Sequence, residues 1–200
     1  ALAGDGSGGV WVAGSTSSSN FPVKNAYQSS HGGDHDVFVS HFSSSGTLLS
    51  STYLGGKSYD AGFTLVGDDA GGVWVTGYTY SSDFPTLNAY QNNHGGGEDA
   101  FVAHFSSPGT LLSSTYLGGG SYDYGFALVG DGSGGVWITG YTHSTDFPVT
   151  EDAYQSSYGG GTDAFVAKFI ESGTPQQAHK LTVPYIHQVY DTSTGFNAED

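Results

Sequence analysis

The stretch GDDAGGVWVTGYT, Gly67–Thr79, decides the fold, because it is written three times: as GDGSGGVWVAGST at Gly4–Thr16 and as GDGSGGVWITGYT at Gly130–Thr142. Trp11, Trp74 and Trp137 therefore stand at a constant interval, as do Phe21-Pro22, Phe84-Pro85 and Phe147-Pro148. Tyr27, Tyr90 and Tyr154 follow, and then HDVFVSHF, EDAFVAHF and TDAFVAKF, the last displaced by one inserted residue. Self-similarity at a fixed period marks a structural unit that is stacked on copies of itself.

Within a unit the pattern predicts four short strands: GFTLVGD from Gly62, GGVWVTGYT from Gly71, DAFVAHF from Asp99 and TLLSSTYLGG from Thr110. Asp-Asp-Ala-Gly-Gly joins the first two as a hairpin whose glycines take positive φ, and Ser-Pro-Gly at Ser107–Gly109 turns the third into the fourth. Pro85 keeps the Phe-Pro stretch out of a central strand and makes it a longer surface connection. In VWV and DAFVAHF successive residues are apolar, so both faces of these strands need cover. Four-stranded units stacked face to face supply that cover, as in the blades of a β-propeller. The competing all-β reading is a calcium-binding parallel roll, which GGDHD, GGGEDA and GGGTDA echo; a roll needs its motif every nine residues or so.

Composition narrows the function. The chain has 200 residues, 33 of them Gly, 14 Tyr and 12 Phe, with no Cys and no Met. Four Lys, no Arg and 19 acidic residues give a formal net charge of −15, which disfavours nucleic acid and anionic membrane as partners. The sequence holds no apolar run long enough for a membrane helix and no leader of the signal-peptide kind. It reads as a segment of a longer protein. Without cysteine these residues carry no disulfide, no thiolate metal site and no cysteine nucleophile.

The order of the Gly-Gly-aromatic hairpin, Thr-x-Ser-x-Asp-Phe-Pro, Ala-Tyr-Gln and Gly-Gly-x-x-Asp-Ala-Phe-Val resembles the bacterial seven-bladed beta-propeller repeat family (SBBP) over residues 1–174. The first unit departs from the pattern, with Asn20 where Asp83 and Asp146 stand and Val37 for Ala100. The resemblance implies a propeller in a secreted or cell-surface multidomain protein, without implying an activity. It divides the chain into blades at 1–64, 65–127 and 128–174, with a strand or linker at 175–200.

SSTYLGG, present at Ser50–Gly56 and Ser113–Gly119, is missing from the third unit, which continues PQQAHKLTVPYIHQVY from Pro175. The VPYIHQVYDT segment resembles the lead-in to cysteine peptidase-like domains of the bacteriocin-processing type, whose catalytic part would lie beyond Asp200. A linker is the plainer reading of the same residues. An unpaired strand edge invites pairing, so Leu181, Val183, Tyr185 and Ile186 are expected to cover the third blade's open edge, in the same blade or in a neighbouring molecule. Three blades do not close a ring of four to eight, so closure calls for further blades or another copy of the chain.

Candidate chemistry is sparse. Asp36, Asp99 and Asp163 recur before the third strand, and Asp60 and Asp123 before the first. Calcium requires six to eight converging oxygens, and these five carboxylates are its only candidates; capping turns through backbone amides is their other reading. No cofactor is otherwise expected. Asp5, Asp68 and Asp131 are read as turn residues. His41 and His104 give way to Lys168, and His31 and His94 to Tyr158, substitutions that read as exposed strand ends or loops. His35 with His31 and Asp34 or Asp36 is the one candidate zinc cluster. Trp11, Trp74, Trp137 and the Phe-Pro pairs suit packing between blades or stacking on sugars. No Gly-x-Ser-x-Gly elbow organises the Ser, His and Asp residues, and no enzyme is expected. The expected role is a non-catalytic scaffold or binding module, self-associating through blade edges, with an extracellular filament or layer subunit and a carbohydrate-binding propeller as alternatives. Its expected partners are copies of itself and an extracellular glycan or protein.

Overall fold

The computed structural model describes residues 1–151, 153–170 and 182–185, and over these the protein is all-β with no helix. Twelve strands form three antiparallel sheets of four. The first sheet holds β1 (Leu2–Gly4), β2 (Val10–Thr16), β3 (Asp36–Phe42) and β4 (Leu48–Leu54). The second holds β5 (Asp60–Gly67), β6 (Val73–Thr79), β7 (Asp99–Phe105) and β8 (Leu111–Leu117). The third holds β9 (Asp123–Gly130), β10 (Val136–Thr142), β11 (Asp163–Phe169) and β12 (Thr182–Tyr185). Within each sheet, spatial order follows chain order. Every strand pair is antiparallel, which rules out the parallel roll. A tandem repeat has no intrinsic start: β5 and β9 run across residues 64 and 127, so the sheets divide instead between Leu54 and Asp60 and between Leu117 and Asp123.

Two apolar cores lie between neighbouring sheets. Trp11, Ala13, Val37, Val39 and Leu54 of the first sheet meet Leu65, Val73, Val75, Phe101, Ala103 and Phe105 of the second. On its opposite face the second sheet sends Trp74, Ala100, Val102 and Leu117 against Val136, Ile138, Phe165, Ala167 and Phe169 of the third. The middle sheet is thus covered on both sides, and all seven residues of β7 are buried. In β11, of nearly identical sequence, buried and half-buried residues alternate. The run of apolar residues reports a two-faced requirement, which burial meets only where both neighbours are present.

The missing SSTYLGG identifies what that motif does. In the second sheet the long connection lies along the outer edge of β8, with Leu87 and Ser114 exchanging backbone hydrogen bonds of 2.9 and 2.8 Å. The Ser114 hydroxyl donates to Pro85 O at 2.7 Å, and the Tyr116 hydroxyl donates to Ser81 O at 2.7 Å while accepting from Phe84 N at 2.9 Å. Ser51 and Tyr53 repeat these bonds in the first sheet. The Phe-Pro connection, expected as a plain surface loop, is therefore an edge cover held by Ser and Tyr of the fourth strand. In the third sheet β12 takes the fourth place, with Val166 opposite Tyr185 and Lys168 opposite Thr182 in an irregular register. This pairing lies within the protein's own sheet, while Leu181 and Ile186 lie outside the described residues.

Phe63 and Phe126 sit at β-bulges. The register steps from Gly62 to Thr64 in β5 and from Gly125 to Ala127 in β9, leaving each Phe without a partner opposite. A bulge kinks its strand and re-aims the extra side chain, and these rings are 41% and 45% exposed. The kink also explains a strand glycine: a Cβ on Gly77 would lie 1.8 Å from Ala61 O.

Tyr116→Phe removes both hydroxyl bonds of a buried site and leaves the Ser81 carbonyl and the Phe84 amide only their 3.2 Å bond to each other, at a cost of about 1 kcal/mol. Urea denaturation is expected to show a clearly lowered midpoint for this variant and an unchanged one for Tyr27→Phe, whose ring is exposed. Equal midpoints for the two would refute the edge-clamp role.

Candidate functional site

Two recurring constellations and two that do not recur are candidates. The first joins a hairpin aspartate, the Trp and the residue at the end of the third strand. His41 stacks on Trp11 with centroids 4.1 Å apart and planes 8° from parallel. One ring N–H donates to the Asp5 carboxylate at 2.9 Å, the other to Ser107 O of the next sheet at 3.0 Å. Both partners are acceptors, so each ring nitrogen faces an oxygen. His104 repeats the stack on Trp74 at 4.0 Å and the bond to Asp68 at 2.7 Å. In the third unit Lys168 pairs with Asp131 at 2.7 Å and lies 5.3 Å above Trp137. His41 and His104 are buried, which corrects their reading as exposed: what Lys and His share here is a nitrogen donor set over an indole, beside a carboxylate. Hydrogen bonds hold Asp5 and Asp131 well below the usual carboxylate range, chiefly those from His41 and Lys168. Trp11 Nε1 donates to Gly71 O of the neighbouring sheet at 3.0 Å, so this constellation locks sheet to sheet.

The second is the recurring aspartates. Asp36, Asp99 and Asp163 each accept a backbone N–H four residues upstream, from Gly32, Gly95 and Gly159. Asp60 accepts from Gly56 N at 2.7 Å and Ser81 Oγ at 2.9 Å, and Asp123 likewise from Gly119 N and Ser144 Oγ. The structure brings Asp36 against Asp60 and Asp99 against Asp123, with Gly55 and Gly118 between them: a Cβ on Gly55 would lie 2.7 Å from Asp36 and 2.8 Å from Asp60. Burial raises Asp60 to about 6, with the Asp36 charge adding to it, and raises Asp36, Asp99 and Asp123 in the same direction. No group of three or more His, Asp or Glu among the described residues is arranged to hold a metal ion. His35 instead packs on Tyr59, with ring centroids 4.5 Å apart.

The third is a cavity of about 20 Å³ in the third sheet, lined in part by Thr142, Ser144, Phe147, Tyr158 and Asp163. These are the repeat equivalents of the residues around Tyr116. The space is that of a single water.

The fourth lies where the second sheet meets the third. Glu98, only 3% exposed, precedes β7, and Asp123 N donates to its carbonyl at 2.6 Å. The Tyr124 hydroxyl of β9 donates to Glu98 Oε1 at 2.5 Å, and a hydrogen bond from Tyr80 to Glu98 raises the Tyr80 phenol to about 12. Burial, then the Glu98 bond and charge, push Tyr124 up. Glu98 Oε2 is buried without a hydrogen-bond partner. Tyr78 stands at 73° to Tyr80 with centroids 6.0 Å apart, and lies 4.7 Å from Tyr124. The bulged Phe63 and Phe126 stack at 5.8 Å, and Tyr141 and His143 continue the surface. Tyr80 is 44% and Tyr122 48% exposed, so an aromatic surface reaches solvent with a buried carboxylate behind it.

Sequence reasoning put aromatic weight elsewhere. Trp11, Trp74, Phe84 and Phe147 are buried in the inter-sheet cores, Trp137, Phe21 and Tyr90 are half-buried, and Tyr27 and Tyr154 lie exposed on the connections. None of them joins the Glu98 surface. A signal for it was nevertheless present: Tyr80 stands where Ser17 and His143 stand, Glu98 where His35 and Thr162 stand, and Tyr124 where Ala61 stands. Compared with known proteins, the sequence matches no family model and no curated protein.

Alkaline titration followed by tyrosinate absorbance is expected to leave Tyr80 un-ionised at pH 11. Glu98→Gln removes the carboxylate acceptor and should bring this tyrosine into the ordinary range near 10; an unaltered titration would refute the contact. Acid has the opposite use. Asp60 keeps its proton to about pH 6 in the fold, against an ordinary value of 3.8, so its contribution is full below pH 4 and lost as pH rises through 6. Asp5 and Asp131 contribute above pH 4 and are lost only in strong acid. Melting temperature should therefore rise from pH 7 to pH 5, with a shallower slope in Asp60→Asn whatever that variant's absolute stability; parallel slopes would count against it.

Proposed function

We propose that the three stacked sheets are consecutive blades of a β-propeller of the bacterial seven-bladed repeat type, and that this segment is a non-catalytic binding scaffold of a secreted or cell-surface protein. The antiparallel four-stranded unit in chain order, the burial of both faces of the middle sheet and the resemblance of residues 1–174 support the propeller. Completion of the ring by further blades or a second copy belongs to the same proposal. The observation that carries the binding role is the convergence of Tyr80, Glu98 and Tyr124. Three positions at which the repeat departs from itself meet at one sheet junction and form an exposed aromatic surface there. A fold repeats what packing needs, whereas large exposed aromatics grouped together mark recognition surfaces.

The test is an array of glycans and extracellular peptides probed with the whole chain. A partner found this way should bind about tenfold more weakly to Tyr80→Ala with Tyr124→Ala, the order expected for two lost aromatic contacts. Tyr27→Ala with Tyr154→Ala should leave it unchanged. Binding indifferent to Tyr80 and Tyr124 would overturn the assignment of the surface, and turnover of the bound partner would overturn the non-catalytic role.

A further inference from the structure

Resting on the reading of the second junction as a binding surface, we infer that Tyr78, Tyr80 and Tyr124, backed by Glu98, form a site for a small organic cation, a quaternary or protonated alkylammonium group. The charge balance comes first. Glu98 is buried at 3% exposure and has no cationic partner among the described residues. Three lysines fall within those residues, and all are engaged elsewhere: Lys24 donates to Leu48 O, Lys57 pairs with Asp83 and Lys168 with Asp131. An anion taken out of water without a counter-charge is costly. Here the Tyr124 phenol donates to one oxygen and the other has no hydrogen-bond partner. The lining comes second. The ring planes of Tyr78 and Tyr80 stand at 73° in an edge-to-face pair, and Tyr124 is tilted 55° to Tyr78 at 4.7 Å. Electron-rich faces set at angles to one another attract a cation placed within about 6 Å of their centroids. A buried carboxylate behind them deepens the same potential, because the intervening medium screens it weakly.

The repeat itself argues against a packing role. The first junction, built from the same backbone, has Ser17, His35 and Ala61 in place of Tyr80, Glu98 and Tyr124. It keeps the equivalent backbone bond, Asp60 N to His35 O at 2.8 Å, so the fold requires neither the carboxylate nor the two phenols. Over the whole chain, 19 acidic residues against 4 Lys draw cations toward the surface and repel anions, which sets an ammonium ligand above a phosphate or carboxylate one.

The experiment titrates the whole chain with tetramethylammonium chloride and with choline chloride at constant ionic strength, following tyrosine ring signals by NMR. The uncharged choline isostere 3,3-dimethylbutan-1-ol is run in parallel. Both cations should shift Tyr78, Tyr80 and Tyr124 saturably, and the neutral isostere should bind about tenfold more weakly. Glu98→Gln should weaken the cations by a similar factor while barely changing the neutral probe. Tyr80→Leu, an exposed position where the fold tolerates change, should weaken the cations as well. Equal affinity for choline and its isostere, or cation binding unaffected by Glu98→Gln or by Tyr80→Leu, would overturn the cation assignment. So would absence of saturable shifts. None of these outcomes decides the binding surface itself, which stands or falls with the Tyr80 and Tyr124 variants against the array partner.

Discussion

A four-stranded sheet has two faces and no interior, so a unit made of one such sheet reaches a folded state only by lying against another. The rest of the structure follows from this constraint. It explains why Val73 and Val75 point into one core and Trp74 into the other, and why β-branched and aromatic residues occupy neighbouring positions instead of alternating with polar ones. It also explains the latches. Stacked sheets slide unless something fixes their offset, and apolar packing is non-directional. The bonds from Trp11 Nε1 to Gly71 O and from His41 to Ser107 O are directional and cross from sheet to sheet. They fix an offset that the core alone leaves soft.

Stacking solves the faces and leaves the edges. The outer strands β4 and β8 carry unpaired backbone groups that would template association. The chain covers them with its own long connection, held by Ser51 and Tyr53 or by Ser114 and Tyr116. A motif that looks like strand filler, SSTYLGG, is thus an edge device: the serine binds the proline carbonyl and the tyrosine binds both sides of the Phe-Pro turn. In the third sheet the fourth place goes to a segment of unrelated sequence, and the β11 pairing becomes irregular in register.

Strand positions and the hairpin turns are legible in the sequence, because tight turns and short apolar runs are local and the repeat prints them almost three times. The sheet boundaries are not, since a periodic pattern does not state its own phase. His41 and His104 were misread for a physical reason. Replacement by Lys reads as a sign of solvent, whereas a buried position that needs a nitrogen donor over an indole and beside a carboxylate accepts either residue. The Glu98 surface was hidden differently. Its rings come from β5, β6, the connection after it, β9 and β10, and its two phenylalanines sit at bulges that shift the strand register. Neither fact is written in the local pattern.

What the sequence did contain was difference. In a repeat, each residue is measured against its own copies under the same backbone demands, so agreement reports the fold and disagreement needs another cause. Scattered departures, such as Asn20 for Asp83 or Val37 for Ala100, need only tolerance. Tyr80, Glu98 and Tyr124 are different in kind: they lie 18 and 26 residues apart along the chain, yet Tyr80 and Tyr124 both bring a phenol to the same carboxylate. Each alone would be unfavourable. A buried glutamate without phenols would be short of donors, and a large exposed phenol without the glutamate would add apolar surface to no structural end. The first junction shows that stacking does without these departures, and the carboxylate they share keeps one buried oxygen without a hydrogen-bond partner, so the demands of packing that the repeat records elsewhere do not account for them.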